Sequence, residues 1–216
     1  MAFDCCTRVE RERFGPASAV AGRLGWKGLG VLVGEKQPFS QPPVGGIDLL
    51  PCVEVHPQRP SDVARVCRRL RPSHLLIAVS ARDLECARAA LETPEADLLI
   101  YGGPINYVMA KLSKENGVSV VFDFSRMLAV TDRSRTLVLS EMTANARLVR
   151  KFRSPFVLTS GATDEWGLRS PRDLVSWGKT MGLDEKSCRR AVSDAMVREN
   201  RKRLGGKWLA PGVERL

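Results

Sequence analysis

Residues 156–174 read FVLTSGATDEWGLRSPRDL. The stretch begins with the apolar run Phe156–Thr159, which is typical of a strand buried on both faces of a sheet. It ends with Ser170-Pro171-Arg172-Asp173, in which the serine can cap the first amides of a helix and proline suits the first helical position. Asp173 stands where it completes a capping box. The stretch therefore predicts a strand, a loop and a helix, which is one unit of an α/β fold.

The same alternation of apolar runs and helical patterns extends along the rest of the chain. Runs such as Leu75–Val79, apolar at every position, indicate a parallel sheet with both faces covered. Seven strands are predicted, at Ala2–Cys6, Leu29–Val33, Leu49–Val55, His74–Val79, Asp97–Tyr101, Val118–Phe124 and Phe156–Thr159. Helices are predicted between and after them, at Ser61–Arg71, Arg82–Glu92, Ile105–Asn116, Ser134–Phe152, Ser170–Met181 and about Asp184–Leu204.

Strands alternating with helices predict right-handed βαβ units. A TIM-barrel-like (β/α) barrel fits this order, with a doubly wound parallel sheet as the second possibility. Periodicity does not choose between the two. A chain of 216 residues is long enough for one such domain, so we expect residues 1–216 to form a single barrel domain with a basic C-terminal helix around residues 184–204.

The net charge of +10 is spread unevenly along the chain. Residues 151–216 hold 14 Lys and Arg against 8 Asp and Glu, so less than a third of the chain carries more than half of the excess. Such an excess suggests a polyanionic partner, although solubility alone would also account for it. The terminal cations Arg198, Arg201, Lys202 and Arg203 could line an RNA-binding flank, but a solvated helix face is the more common structure for such a run.

The residues that a barrel enzyme would use are scarce. The sequence has two histidines, His56 and His74, predicted at opposite ends of their strands, which makes a two-histidine metal site a poor fit. Its six cysteines form no C-x-x-C pair and are best explained as small buried hydrophobic residues. There is no Walker A motif and no G-x-S-x-G elbow. We therefore nominate no catalytic residue and no metal ligand.

The location of the protein is predicted from two absences in the sequence. Residues 1–15 are charged and lack the apolar region of a secretory signal. No stretch approaches 18 consecutive apolar residues. We expect a cytoplasmic protein without a membrane partner.

The quoted stretch resembles the TIM-barrel-type protein subunit of archaeal and eukaryotic ribonuclease P, the ribonuclease P protein component 3 family. The resemblance rests on Thr159-Ser160, on Ala162 and Trp166, and on Arg169-x-Pro-Arg-Asp-Leu174. Upstream, Asn106–Lys111 is similar to a family helix that commonly has histidine where this chain has Tyr107. The recognisable part covers about two thirds of the chain. The related metal-dependent phosphoesterases place histidines on the first strand, whereas residues 3–7 here contain none.

The resemblance implies a non-catalytic subunit of an endoribonuclease that removes the 5′ leader of precursor tRNA. The RNA subunit would bind the catalytic Mg²⁺, and this chain would bind no cofactor. Implied partners are the ribonuclease P RNA, a small RRM-like protein subunit in a complex with two copies of each, precursor tRNA and other ribonuclease P proteins.

Five cations are the candidates for contacts with RNA, since arginine and lysine bind phosphate. They are Arg126, Arg169, Arg172, Lys111 and Lys179. Arg126 lies at a strand end, where its charge needs a partner, and that partner could also be a local carboxylate. Arg172 could simply belong to the start of its helix. Two other functions stay open: a barrel enzyme acting on a phosphorylated metabolite, and a general RNA-binding scaffold.

Overall fold

The computed structural model describes residues 1–36, 39 and 42–204, together with the backbone of 208–210 and 213–214. Its main sheet has seven strands, which pair in parallel and in chain order. The strands are β1 (Phe3–Thr7), β2 (Gly28–Gly34), β3 (Asp48–Val55), β4 (Leu76–Ala81), β5 (Leu98–Tyr101), β6 (Ser119–Asp123) and β7 (Phe156–Thr159). All seven predicted strands are confirmed, with bounds that shift by one or two residues.

The order of these strands decides between the two predicted architectures. Each strand pairs with the next one along the chain, from β1 to β7, without the reversal of order that defines a doubly wound sheet. The first and last strands also meet. The amide of Arg8 donates to the carbonyl of Ala162 at 2.7 Å, and the Thr159 hydroxyl donates to the carbonyl of Cys6 at 2.8 Å. The fold is therefore a nearly closed (β/α) barrel, and the doubly wound alternative is wrong.

The helices form the outer layer of the barrel. In the described residues they are α1 (Phe14–Leu24), α2 (Pro60–Leu70), α3 (Leu84–Leu91), α4 (Tyr107–Asn116), α5 (Ser125–Leu128), α6 (Asp132–Phe152), α7 (Pro171–Thr180), α8 (Glu185–Ala191) and α9 (Ala195–Leu204). Each longer helix buries one stripe, as Val63, Cys67 and Leu70 show on α2. Full burial of an aliphatic side chain contributes about 1.5–3 kcal/mol, so such stripes fix each helix against the sheet. The C-terminal strands β8 (Trp208–Ala210) and β9 (Val213–Glu214) pair antiparallel.

Alternate residues of each strand face two different cores. On β4, Leu76 and Ala78 point into the barrel, whereas Ile77 and Val79 pack under the helices. The interior cluster comprises Phe3, Cys5, Cys6, Cys52, Leu76, Ala78, Leu98, Val121, Val157 and Val197. Because every position of these strands except Gly34 is buried or half-buried, the continuous apolar runs of the sequence are explained.

Helix ends follow the predicted chemistry with one exception. The Ser170 hydroxyl accepts from the amide of Asp173, and the Asp173 carboxylate accepts from the amide of Ser170, which completes the capping box of α7. Gly117 ends α4 in the left-handed region, with φ +73°. The helix predicted to start at Ser61 starts one residue earlier, because Pro60 suits the first helical position and Arg59 precedes it without a side-chain cap.

The predicted helix at Asp184–Leu204 is divided in two by residues 192–194. Its second part, α9, covers the N-terminal end of the barrel, where Val197 joins the interior cluster. The Asn200 amide donates to the carbonyl of Leu75 and to the Asp97 carboxylate, both at 2.9 Å. Arg203 also reaches Asp97, at 3.2 Å. The basic C-terminal helix thus serves as the plug of the barrel.

The other terminal cations are largely paired as well. Arg198 lies 3.3 Å from Asp194, and Arg201 lies 3.4 Å from Asp48. These ion pairs favour the structural explanation of the basic run over an RNA-binding flank. No helix in the described ranges is long and apolar enough to span a membrane.

Candidate nucleic-acid interface

The C-terminal mouth of the barrel, where barrel enzymes keep their active sites, is held by an ion-pair network. Arg8 follows β1 and reaches two carboxylates, Asp123 of β6 at 3.3 Å and Glu54 of β3 at 3.5 Å. Asp123 also accepts from the amide and the hydroxyl of Ser125, at 2.9 and 2.6 Å. His56 lies 3.5 Å from Glu54. The acidic side chains of the mouth therefore have partners that tie the strand ends together.

The seam between β7 and β1 is closed by a buried carboxylate. Asp4 has no exposed surface, and it accepts hydrogen bonds from the hydroxyls of Thr159 and Ser160 and from the Ser160 amide at 3.1 Å. Burial raises the pKa of Asp4 to about 6, although these hydrogen bonds act in the opposite direction. Thr159 and Ser160, which carry part of the family resemblance, thus have a structural role.

The same seam also engages the backbone amides of the turn that follows β7. The Ser160 amide donates to Asp4, and the Gly161 amide donates to the Thr159 hydroxyl at 3.2 Å. Gly161 itself has φ +62°, and a Cβ there would lie 1.9 Å from an Asp123 carboxylate oxygen. This turn is therefore packed against the mouth network and leaves no room for a ligand.

Metal ligands are not grouped in the described part of the chain, since no three His, Cys, Asp or Glu side chains there are placed to hold an ion. The six cysteines are all buried and unpaired. Burial raises the pKa of the Cys67 thiol to about 12 and that of Cys188 to about 11. Both thiols are therefore protonated at neutral pH and unsuited to act as nucleophiles.

Arg126 has a local partner, so its position at a strand end is explained without RNA. It lies on α5, and its guanidinium is 3.2 Å from Glu141 of α6 and donates to the carbonyl of Gly102 at 3.0 Å. The side chain keeps 29% of its surface exposed. The structure thus supports the local ion pair that the sequence left open, and contact with RNA stays a prediction.

Arg169 and Lys111 lie against aromatic rings. The Arg169 guanidinium is 5.6 Å from the centre of the Phe124 ring, and the Lys111 amine is 5.7 Å from that of Tyr107 and 5.9 Å from that of Phe152. Arg169 also donates to the carbonyls of the loop that precedes α7. Lys111 is exposed on α4 and does not line the groove described next.

Arg172 and Lys179 are brought together on one face of α7, seven residues apart. They line a groove of about 500 Å³ between α7 and α8, to which Arg189 contributes a third cation. The other residues that line it are Met1, Ala2, Pro171, Val175, Ser176, Glu185, Val192 and Ser193. The groove combines a partly apolar floor with an excess of positive charge.

The charges of this groove are unequally satisfied. Glu185 lies between two cations, 2.9 Å from Lys179 and 2.7 Å from Arg189, and their proximity lowers the pKa of Glu185 to about 2. Arg172 is exposed and makes no hydrogen bond or ion pair with any described residue. One carboxylate therefore serves two cations, and Arg172 is left without a counter-ion among the described residues.

Sequence reasoning missed several residues of this region. Arg189 belongs to the groove, and Lys186 and Arg190 are exposed on the same helix. Their spacing of three and four residues would have revealed a basic face had α8 been delimited. Trp166 was noted only as part of a resemblance, yet its side chain is 78% exposed.

The barrel has a mouth closed by ion pairs and a cationic groove on its outer helices. These two features define a barrel-fold protein suited to bind a polyanion. Residues 34–203 match the model of the family described as RNase P subunit p30, and the chain belongs to that family. The structure thus agrees with the resemblance carried by residues 156–174.

Individual relatives agree with this assignment. The chain is 30% identical to ribonuclease P protein component 3 of Haloarcula marismortui over 174 residues, which are 78% of this chain and 74% of that one. It is 28% identical to the protein of the same name from Methanococcoides burtonii, over 91% of this chain and 85% of that one.

A solved structure supports the fold. A chain in the cryo-EM structure of archaeal ribonuclease P with mature tRNA superimposes with a TM-score of 0.83, over 98% of this chain and 96% of that one, at 18% identity.

Proposed function

We propose that the chain is a protein subunit of ribonuclease P that binds the catalytic RNA through the groove between α7 and α8. The family match supports the subunit role, and the observation that favours this groove is Arg172, an exposed arginine without a carboxylate partner among the described residues, beside two further cations. An arginine fork matches the geometry of a phosphate, and the neighbouring cations of the groove would add to its attraction for one.

In this role the protein contributes charge and shape, and the RNA contributes the chemistry. Cations at the groove reduce repulsion between phosphates and release counterions when they bind. A folded RNA held in this way needs less Mg²⁺ to keep its active form. The Mg²⁺ ions belong to the RNA, and the chain itself binds no cofactor and cleaves nothing.

The protein partner in this proposal is a small RRM-like subunit, with two copies of each chain in the complex. It would dock on the first half of α6, where residues 132–137, 139 and 140 are all exposed. Leu137 and Leu139 lie in this stretch, with 63% and 37% of their surfaces exposed, and Leu128 of α5 is 45% exposed. Exposed leucines suit a protein surface better than an RNA backbone. Precursor tRNA and other ribonuclease P proteins complete the assembly, in the cytoplasm.

Binding of the ribonuclease P RNA at a series of salt concentrations tests the groove. Each phosphate contact contributes about 0.7–0.9 to the slope of log K against log[salt]. Arg172→Ala should weaken binding and lower that slope by this amount. The matched control is Arg82→Ala, since Arg82 is likewise exposed and without a bond to a described residue but follows β4, outside the groove. Equal slopes for wild type and Arg172→Ala, with a folded variant, would remove the groove from the RNA interface.

The general-scaffold alternative is tested in the same experiment. A scaffold without preference binds an unrelated structured RNA of equal length as tightly as the ribonuclease P RNA. The barrel-enzyme alternative has no observation in its favour, because the acids of the mouth are occupied by Arg8 and Ser125.

A further inference from the structure

Trp166 combines a large apolar side chain with an exposed position on a well-braced loop. The loop joins β7 to α7, and the indole is 78% exposed. The other tryptophans for which burial is described, Trp26 and Trp177, are 1% and 9% exposed. An indole left in water forgoes a stabilisation of a few kcal/mol, which a ligand that covers it would supply.

The loop backbone around this indole is fixed from both sides. The Asp164 carboxylate accepts from the amides of Trp166 and Gly167, at 3.0 and 2.8 Å. The Arg169 guanidinium donates to the carbonyl of Trp166 at 2.9 Å. Glu165 accepts two hydrogen bonds from Arg13, at 3.0 and 3.1 Å. The conformational entropy of the loop is therefore already lost before a ligand arrives, which favours tight binding.

The surroundings of Trp166 indicate what kind of ligand it would meet. None of the other large hydrophobic residues exposed in the described ranges lies between β7 and α7, so the indole does not belong to an apolar patch of that segment. The two acids of the loop are engaged, Asp164 by backbone amides and Glu165 by Arg13. On the C-terminal side follow Arg169, which donates to the Trp166 carbonyl, and Arg172, six residues along the chain, which has no partner among the described residues. An exposed flat ring followed along the chain by an unpaired arginine suits a nucleobase and the phosphate of the same RNA strand.

We propose that Trp166 is a stacking platform for an unpaired base of the RNA, while Arg172 binds a nearby phosphate. The inference rests on the proposed function, since the RNA must first be a partner of the chain. Within that function it adds direct contact with a single-stranded nucleotide to the backbone contacts of the groove.

The test compares Trp166→Ala, Trp166→Phe and wild type in binding of the ribonuclease P RNA over a range of salt concentrations. Loss of one stacked base should weaken binding about 5- to 150-fold. The slope of log K against log[salt] should stay at the wild-type value, because stacking releases no counterions. Trp166→Phe keeps an aromatic face and should recover most of the affinity. The control is Leu84→Ala, which removes an exposed apolar side chain from α3 and should bind RNA as wild type does.

Three results would overturn the inference. Trp166→Ala could bind RNA as wild type does, which removes the indole from the interface while Arg172→Ala still reports on the groove. It could bind RNA normally but lose affinity for the partner protein, which makes the indole a protein contact. Trp166→Ala could lower the slope of log K against log[salt] as Arg172→Ala does, which would mean that its loss of affinity is electrostatic and not a loss of stacking. If wild type itself does not bind the RNA, the proposed function fails first. Since the indole is exposed, the variant should keep its melting temperature.

Discussion

The buried carboxylate of Asp4 makes a quantitative prediction about stability and pH. The pKa of Asp4 is raised to about 6 in the folded protein, whereas in the unfolded chain it has its ordinary value of 3.8. A raised pKa means that the folded state holds the proton more tightly than the unfolded state does. The contribution is therefore fully present below the unfolded value and is lost as the pH rises through about 6.

The size of the effect follows from the shift of roughly two units. At about 1.4 kcal/mol per unit, full ionisation of Asp4 lowers the free energy of unfolding by about 3 kcal/mol. About half of this loss, near 1.4 kcal/mol, falls between about pH 5 and pH 7.5, a range that is accessible to measurement. The rest falls below that range.

The assay is urea unfolding of wild type and Asp4→Asn at several pH values. Asparagine cannot ionise, so the difference between the two proteins isolates the titration of Asp4 from that of all other groups. The stability of wild type relative to the variant should fall by about 1.4 kcal/mol from about pH 5 to pH 7.5. A difference that rises with pH would refute the reasoning, because it would mean that the hydrogen bonds from Thr159 and Ser160 outweigh desolvation.

Three further predictions concern the loop and helix ends around the barrel mouth. Gly161→Ala should lower stability by about 2 kcal/mol or more, because of strain at φ +62° and a clash with Asp123. The control for strain alone is Gly182→Ala, at φ +86° with its nearest neighbour 3.8 Å away. Equal melting temperatures for the two variants would exclude the clash. Ser170→Ala should cost about 1 kcal/mol through loss of the capping box, measured by thermal unfolding, and no change would show that the helix needs no cap. The Arg126→Ala variant should fold, with a free energy of unfolding lower by about 1 kcal/mol because the bonds to Glu141 and Gly102 are lost. It should also stimulate precursor-tRNA cleavage less than wild type does. Unchanged stimulation would remove Arg126 from the RNA-binding candidates.

The strands were predictable because each is covered on both faces. A run such as Leu76–Ala81 is apolar or small at almost every position, and that pattern marks a central parallel strand wherever it lies in the fold. The closure of the barrel was not predictable in the same way. It depends on Asp4 meeting Thr159 and Ser160 from the other end of the chain, a contact that no local pattern encodes.

Helices were predicted where their buried stripe is made of large residues. The helix α1 was missed because its buried face consists of Phe14, Ala17, Ser18 and Ala21, and because Gly15 and Pro16 suggest a loop. The division between α8 and α9 was also missed, since both helices carry similar stripes. The reason α9 turns away is its packing beneath the barrel, where Asn200 binds Leu75 and Asp97.

The candidate site was predictable in part. The spacing of Arg172 and Lys179 on one helix places them on the same face, and the capping box fixes where that helix begins. Partners that lie far along the chain were not predictable, as the pairing of Arg126 with Glu141 shows. Lys179 likewise meets Glu185 only because α8 folds back beside α7.

The measurement that tests the central claim most directly is cleavage of precursor tRNA by the cognate ribonuclease P RNA at limiting Mg²⁺. The RNA is mixed with the small partner subunit, with and without this chain. The account predicts that the 5′ leader is released only, or much faster, when the chain is present, and that a higher Mg²⁺ concentration replaces part of its effect. Cleavage at the same rate in both mixtures, with the RNA and partner shown to be active in other combinations, would contradict the assignment of this chain as a ribonuclease P subunit.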